Sequence, residues 1–350
     1  MNAAFWRGKR VFLTGDTGFK GAWLALWLDS LGARVLGFSK DVPTRPSLFE
    51  AARVGEQVQH EIGDVRDFRA VNDSIGRFAP DIVFHLAAQA LVRYSYAQPL
   101  ETYATNVMGT AHVLEALREA PSVRAAVIVT SDKCYENLET GRAYVETDAM
   151  GGHDPYSSSK GAAELVAAAF RRSFLSSKTS IATARAGNVI GGGDWSADRL
   201  LPDAYRAAES KKPVLIRNPT AVRPWQHVLE PLSGYLVLAE RLVEAGVSFA
   251  EGWNFGPPEG DARSVGEIMD RVASLWGADF RWELDKASHP HEARLLSLDC
   301  SKAIKMLGWK PRLELETALE WTVAWYKGFL SGSDARTLSL DQIARYDAIA

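Results

Sequence analysis

Tyr156 and Lys160 stand four residues apart, which on a helix puts a phenol and an ammonium on one face within mutual reach. A free tyrosine ionises near pH 10, so service as a base at neutral pH requires a downward shift of about 3 units. Lys160 is one cation able to supply part of that shift. A second group of reactive side chains, Ser131-Asp132-Lys133, follows the uninterrupted apolar run Ala125 to Val129. In open α/β sheets the ligand crevice lies beyond the carboxyl ends of the strands, so this turn is expected to face it. There Ser131 would hydrogen-bond the phenol or a substrate hydroxyl, Asp132 would donate a proton and Lys133 would accept one. Taken singly, the first pair reads as well as an exposed Tyr and a solvated Lys, and the second as a polar turn with a surface ion pair.

A third feature favours the chemical reading of both. Thr14-Gly15-Asp16-Thr17-Gly18-Phe19-Lys20-Gly21 comes directly after the strand-like Val11 to Thr14 and opens a helix with an apolar stripe through Leu24, Leu26, Trp27, Leu28 and Leu31. Glycines at such a turn let the backbone approach a pyrophosphate, and the new helix offers it unpaired N–H groups and a positive dipole end. Gly15, Gly18, Phe19, Lys20 and Gly21 are therefore candidate dinucleotide contacts. The spacing is G-x-x-G-x-x-G, and a glycine turn alone is as often just a turn. Asp41 lies about 20 residues further on, where an acid accepts hydrogen bonds from an adenosine ribose and favours NAD over its phosphorylated form. Asp64 and Val65 follow the third strand, suitably placed for adenine. An oxidised nicotinamide would be the second cation acting on Tyr156.

The elements that must position these groups alternate regularly. Strand-like runs at Val11–Thr14, Val35–Phe38, Val58–Ile62, Ile82–Leu86, Ala125–Val129 and Ile181–Ala186 are separated by helical periods, including one from roughly Leu100 to Glu119 and one beginning near Ser157. The pattern predicts an α/β fold, a Rossmann-type doubly wound parallel sheet. Beyond Gly187 come Gly191-Gly192-Gly193 and prolines at 202, 213, 219 and 224, which mark a smaller, irregular α/β carboxyl-terminal domain. Residues 1–187, with returning segments near 226–256, are assigned to dinucleotide binding, 188–225 and 257–330 to substrate binding, and 331–350 to a tail.

Composition narrows the classes further. The chain has 350 residues, 47% hydrophobic and 24% charged, with a formal charge of −3, so it is globular and lacks the basic excess that nucleic acid would demand. No apolar run approaches the length of a membrane span. Cys134 and Cys300 are too few for a disulfide framework or a zinc site, so no metal is expected and a cytoplasmic setting fits.

These residues resemble the extended short-chain dehydrogenase/reductase family, in its nucleotide-sugar dehydratase branch. The resemblance covers nearly the whole chain and is carried by Thr14 to Gly21, His85-Leu86-Ala87-Ala88-Gln89, Tyr156 with Lys160, Arg185-Ala186-Gly187-Asn188, Gly191 to Trp195 and Arg223-Pro224-Trp225-Gln226-His227. Pro43 to Glu50, together with lysine where dTDP-sugar relatives carry glutamate after Asp132, is similar to the CDP-sugar members. It implies an NAD-dependent lyase acting on CDP-glucose in deoxysugar and lipopolysaccharide O-antigen biosynthesis, with catalytic Ser131, Asp132, Lys133, Tyr156 and Lys160. It adds Leu86, Ala87, Ala88, Gln89 and Asn106 to the cofactor contacts, and Ser95, Asn188, Arg199, Arg223 and His291 as substrate contacts. A homodimer through a four-helix contact is also implied. Rival readings are another nucleotide-glucose dehydratase, a 4-epimerase, which lacks the Asp132-Lys133 pair, a net oxidoreductase, and a non-enzymatic NAD sensor.

Overall fold

Ala125 to Val129 contains no polar side chain because neither of its faces meets water; all five residues are buried in the computed structural model. The structure describes residues 1–139, 141–175, 178–257, 260–277, 280–287 and 296–349. Among them seven strands form one parallel sheet: β1 (Arg10–Thr14), β2 (Arg34–Ser39), β3 (Gln59–Ile62), β4 (Ile82–His85), β5 (Ala125–Val129), β6 (Ser180–Arg185) and β7 (Gly252–Asn254). Their spatial order is β7-β6-β5-β4-β1-β2-β3. The order reverses direction between β1 and β4, and a crevice opens there at the carboxyl edge. Register pairs Thr14 with both Phe38 and His85, and Val129 with Ala184, so the turns after β1, β4, β5 and β6 leave along one edge.

Helices cover both faces. On one side α1 (Phe19–Ser30) buries Trp23, Trp27 and its leucines against the sheet and against α6 (Leu229–Ala245). On the other, α2 (Phe68–Phe78), α3 (Gly109–Arg118) and α4 (Pro155–Phe170) pack over Phe12, Phe38, Val83 and Ile128. The helix expected from Leu100 runs from Pro99 to Arg118 through a π turn at Ala104–Met108, which turns Asn106 inward. A separate apolar cluster lies beyond the main sheet, where α5 (Leu200–Ser210), α7 (Val265–Trp276) and the first half of α8 (Leu315–Leu330) enclose Ile190, Ile216 and Trp225.

The stretch after residue 330, set apart in the sequence as a tail, is largely a helix, α9 (Ala335–Asp347), capped by Asp334 and docked into the main core. Tyr346 donates its hydroxyl to Glu230 (2.8 Å), Trp27 donates its indole N–H to Asp347 (3.2 Å), and Arg336 pairs with Asp29 (3.0 Å). With Tyr346 as its one aromatic residue, this segment was hard to distinguish from a loosely attached end.

Under the carboxyl edge, Glu164 of α4 is enclosed with Arg185 of β6 at 2.7 Å. Burial works against the Glu164 carboxylate, but Arg185 and the hydroxyls of Thr130 and Thr183 more than offset it and hold its pKa below the usual range. Removing one member of such a pair leaves the other charge stranded. Glu164→Gln is expected to lower unfolding free energy by about 3–5 kcal/mol, read from urea denaturation, with Arg185 as the stranded charge.

Candidate active site

The glycine turn is built by backbone crowding. Gly15 has φ +79°, and a Cβ there would sit 2.6 Å from the Ala87 nitrogen; one at Gly21 would run into the Gly15 carbonyl. Both glycines are dictated by the protein itself. Gly18 differs: its Cβ would meet nothing closer than the Gly15 oxygen at 3.4 Å, so the space above it is open. Gly18 is also the N-cap of α1 and supplies no side-chain cap, which leaves N–H groups of the first turn free for an anion. This cradle fits a dinucleotide pyrophosphate.

The acid in this loop escaped the sequence reading. Asp16 is fully buried and accepts hydrogen bonds from Ser39 Oγ (2.6 Å) at the end of β2 and from His60 Nδ1 (2.7 Å) on β3. Asp16 thereby ties the turn after β1 to both strands beside the expected adenosine position. Alternation of His60 with Val58 and Ile62 was the available signal, but it reads equally well as a half-exposed strand residue. Asp41 lies in the same region, its backbone oxygen accepting from Thr17 Oγ1 (2.7 Å) and its carboxylate exposed near Lys40. Asp64 is held by Arg66, whose hydrogen bonds, acting against partial burial, keep the carboxyl below its usual range. Val65 is buried, and its oxygen accepts from His112.

After β4, Leu86 and Ala87 are fixed to Thr14 by backbone N–H bonds, the second to the Thr14 hydroxyl. Ala88 lies partly exposed in the same loop. Gln89 and Asn106 clasp each other: Asn106 Oδ1 accepts from the Gln89 N–H (2.8 Å) and its amide donates to the Gln89 oxygen (3.0 Å) and to Ser159 Oγ (2.8 Å). The π turn is what brings Asn106 to both. His85, adjacent, bridges Thr14 and Thr110, and burial, with help from Lys160, pushes it down to about 3, so it is a neutral strut.

Tyr156 begins α4, where Asp154 caps the helix and Ser95 accepts the Tyr156 N–H (3.1 Å). Ser95 is wholly buried and its hydroxyl also donates to the Val92 oxygen, so it fixes the start of this helix. Ser131 lies close enough to the Tyr156 phenol to act on its ionisation, and its hydroxyl donates to Asp132 Oδ1 (2.9 Å) and accepts the Lys133 N–H (3.2 Å). Asp132 in turn presses against the main chain at Gly187, where any side chain would strike its carboxyl. These placements bring Ser131, Asp132 and Tyr156 together.

Lys160 is not among the groups that act most strongly on Tyr156. Burial pushes Tyr156 up to about 12; Ser131 and Arg199 act in the opposite direction and do not overcome it. Lys160 Nζ donates to the Val129 oxygen (3.3 Å), and burial, opposed by Cys134 and Glu164, pushes it down to about 8. Four-residue spacing put both on α4 without making them partners.

Arg199 caps the start of α5, holds Asp194 at 3.1 Å and lies close enough to influence Tyr156. Asn188 takes a left-handed backbone, φ +49°, and its oxygen accepts from Gln226 (3.3 Å). Arg223 lies in a short strand of the smaller lobe, donating to the Val222 oxygen (3.0 Å). His291 lies outside the described residues. Tyr235 of α6 is a further group missed from sequence, because it reads there as one more apolar helix position.

A parallel sheet in this order, with a glycine cradle at its first turn and a Tyr–Lys helix across the crevice, is the build of an extended short-chain dehydrogenase/reductase. Within that class the chain belongs to the GDP-mannose 4,6 dehydratase family, whose profile matches residues 12–322. It is 54% identical over 348 residues to the CDP-glucose 4,6-dehydratase of Salmonella typhimurium, covering 98% of this chain and 97% of that protein. A probable dTDP-glucose 4,6-dehydratase of Sinorhizobium fredii is 27% identical, covering 91% of this chain and 92% of that protein. In fold it is similar to UDP-glucose 4-epimerase of Thermotoga maritima crystallised with UDP-glucose, TM-score 0.81 at 21% identity, covering 92% of this chain and 99% of the other. MoeE5 in complex with UDP-glucose and NAD gives 0.76 at 26% identity, covering 92% and 99%.

The Asp16–His60 contact yields a pH signature. The hydrogen bond that His60 donates to Asp16, outweighing partial burial, raises His60 above its ordinary 6.5. Its stabilising contribution is complete below about pH 6.5 and fades as pH rises through the raised value. The stability gap between the native protein and Asp16→Asn should narrow by about 1 kcal/mol over that rise, measured by chemical denaturation across the range.

Proposed function

We propose that the protein is a hydro-lyase that binds NAD and converts CDP-D-glucose to CDP-4-keto-6-deoxy-D-glucose and water. The observation that carries this reading is the Ser131-Asp132-Lys133 turn at the carboxyl end of β5, set beside the Tyr156 phenol and packed against Gly187. Full-length likeness to a CDP-glucose 4,6-dehydratase supports the same reading.

NAD, when bound, supplies the hydride acceptor for sugar C4 and later the donor for C6. Tyr156 takes the 4-hydroxyl proton, with Ser131 orienting its phenol. A cation delivered beside Tyr156 counters the burial that otherwise keeps the phenol protonated. A ketone at C4 acidifies the C5 hydrogen, which Lys133 removes while Asp132 protonates the departing 6-hydroxyl, and Lys133 returns its proton to C5 as C6 is reduced. Enclosure of the turn by Gly187 keeps Asp132 aimed along one side of the sugar. Arg199 and Arg223 would meet the diphosphate with guanidinium forks, and Ser95, Asn188 and His291 complete the proposed substrate contacts. The cradle of Gly15, Gly18, Phe19, Lys20 and Gly21 would hold the pyrophosphate, with Asp41, Asp64 and Val65 at the adenosine end.

No helix among the described residues is long and apolar enough to cross a membrane. Both cysteines are buried free thiols, which supports a reducing, cytoplasmic setting. The proposed homodimer rests on the apolar face shared by the Pro99–Arg118 run and α4: Leu100 is 84% exposed, Leu165 62%, and Met108 and Tyr103 are exposed beside them. A double Leu100→Glu, Leu165→Glu variant should sediment at half the native mass.

The reaction is tested with CDP-glucose deuterated at C4. Deuterium in the new C6 methyl group, without net NADH, is the expected result; deuterium in solvent or on free coenzyme overturns the reading, and a 4-inverted sugar makes the protein an epimerase. Lys133→Ala should still reduce bound NAD in a single turnover yet lose dehydration by about a hundredfold or more, the usual worth of a general base.

A further inference from the structure

At the adenosine end of the crevice, Lys40, Asp41, Asp64, Arg66 and Glu101 join into one network of charges. Glu101 lies in the first turn of the Pro99–Arg118 run, and its two carboxylate oxygens have separate duties. Oε2 accepts the Tyr94 hydroxyl at 2.6 Å, from the short helix Val92–Ala97. Oε1 accepts from Lys40 Nζ at 3.4 Å and lies 3.6 Å from Arg66 Nη1. Lys40 directly follows β2 and also faces Asp41 at 3.7 Å, while Arg66, beyond β3, grips Asp64 through Nε (2.9 Å) and Nη2 (2.6 Å). The two cations that meet at Glu101 are thus the ones flanking Asp41 and Asp64, the carboxylates assigned to the adenosine.

Hydrogen bonds fix this arrangement from both sides. Thr17 Oγ1 donates to the Asp41 oxygen (2.7 Å), which ties the loop after β2 to the glycine turn. Thr102, next to Glu101, is buried, and its hydroxyl accepts from Gln89 Nε2 (2.9 Å), which ties the helix to the loop after β4. The Tyr94 hydrogen bond, then Lys40 and Arg66, hold the Glu101 carboxyl below its usual range against slight burial, so it is ionised at neutral pH. Two cations and three carboxylates leave the network one net negative charge. Without Glu101 the charges would balance, and a lysine and an arginine would converge on a position fit for an anionic oxygen. That is also how a phosphate monoester is held.

We propose that Glu101 is a specificity-determining residue that excludes the phosphorylated dinucleotide, NADP, by occupying with its own carboxylate the Lys40–Arg66 pair that a ribose 2′-phosphate would otherwise engage. This rests on the NAD reading given above and deepens it. Asp41 repels such a phosphate, but Lys40 and Arg66 beside it would offset the repulsion; Glu101 withdraws both cations and adds a charge of its own. NAD carries a neutral hydroxyl at the same carbon and is little affected by either. The paired side chains are partly exposed, so the discrimination acts between screened charges and weakens with salt.

Equilibrium binding of NAD+ and of NADP+ to the purified protein, followed by titration calorimetry, tests this without turnover. The native protein should prefer NAD+. In Glu101→Gln, which keeps the side chain's length and an oxygen for Tyr94, affinity for NADP+ should rise roughly tenfold while that for NAD+ stays within about twofold. Glu101→Ala, which also frees both cations, should behave alike and serves if the glutamine variant is unstable. Adding Lys40→Met to Glu101→Gln should remove most of the gain, and raised salt should shrink it. An unchanged NADP+ affinity in the Glu101 variants overturns the proposal, as does an equal change for both nucleotides, which a merely structural residue would give. A gain that survives Lys40→Met in full, or a native preference for NADP+, overturns it too. If the native protein binds neither nucleotide, the NAD reading falls and takes this one with it, whereas NAD+ binding with unaltered discrimination removes the role of Glu101 alone.

Discussion

A charged group withdrawn from water must find a partner or change its protonation, and the carboxyl edge of this sheet is organised around that constraint. Glu164 and Arg185 satisfy it by pairing, with Thr130, Thr183 and Tyr135 taking up remaining hydrogen-bonding capacity. His85 satisfies it by staying neutral between two threonines. Lys160 and Lys20 satisfy it in part, remaining near their points of deprotonation. The structural groups are thus pinned in one state while the groups lining the crevice are left responsive, a division suited to moving protons at neutral pH.

Close backbone approach is the second organising constraint. Gly15, Gly21 and Gly187 are each required by a neighbouring atom of the chain, whereas Gly18 is required by none and fronts open space. The distinction separates glycines that shape the crevice from the one that leaves room in it. A sequence motif treats all of them alike.

Much of the fold was legible because parallel strands buried on both faces must be short apolar runs; six of the seven strands, including the late return at Trp253, fall where such runs occur, and the exposed edge strand β3 was legible from the alternation of Val58, His60 and Ile62. Ser131, Asp132 and Tyr156 were legible for a related reason: strand ends and helix starts place side chains predictably. What was not legible depends on contacts between distant segments. Lys160 shares α4 with Tyr156 yet bonds the main chain of β5, which four-residue spacing cannot reveal. Asp16 meets His60 across 44 residues, and Tyr235 reaches the crevice only because α6 returns to the sheet. The last helix was invisible as part of the core because its anchors, Glu230 and Trp27, lie more than 100 residues away.

That last helix has a consequence for assembly. Through Asp347 and Arg336 it grips α1, which carries the cradle and Lys20, and through Tyr346 it grips α6, which carries Tyr235. Both walls of the crevice are therefore braced from behind by residues that follow them in the chain by more than 100 positions. A nascent chain can pair its central strands before the spacing of those walls is set, because the brace is synthesised after both of them.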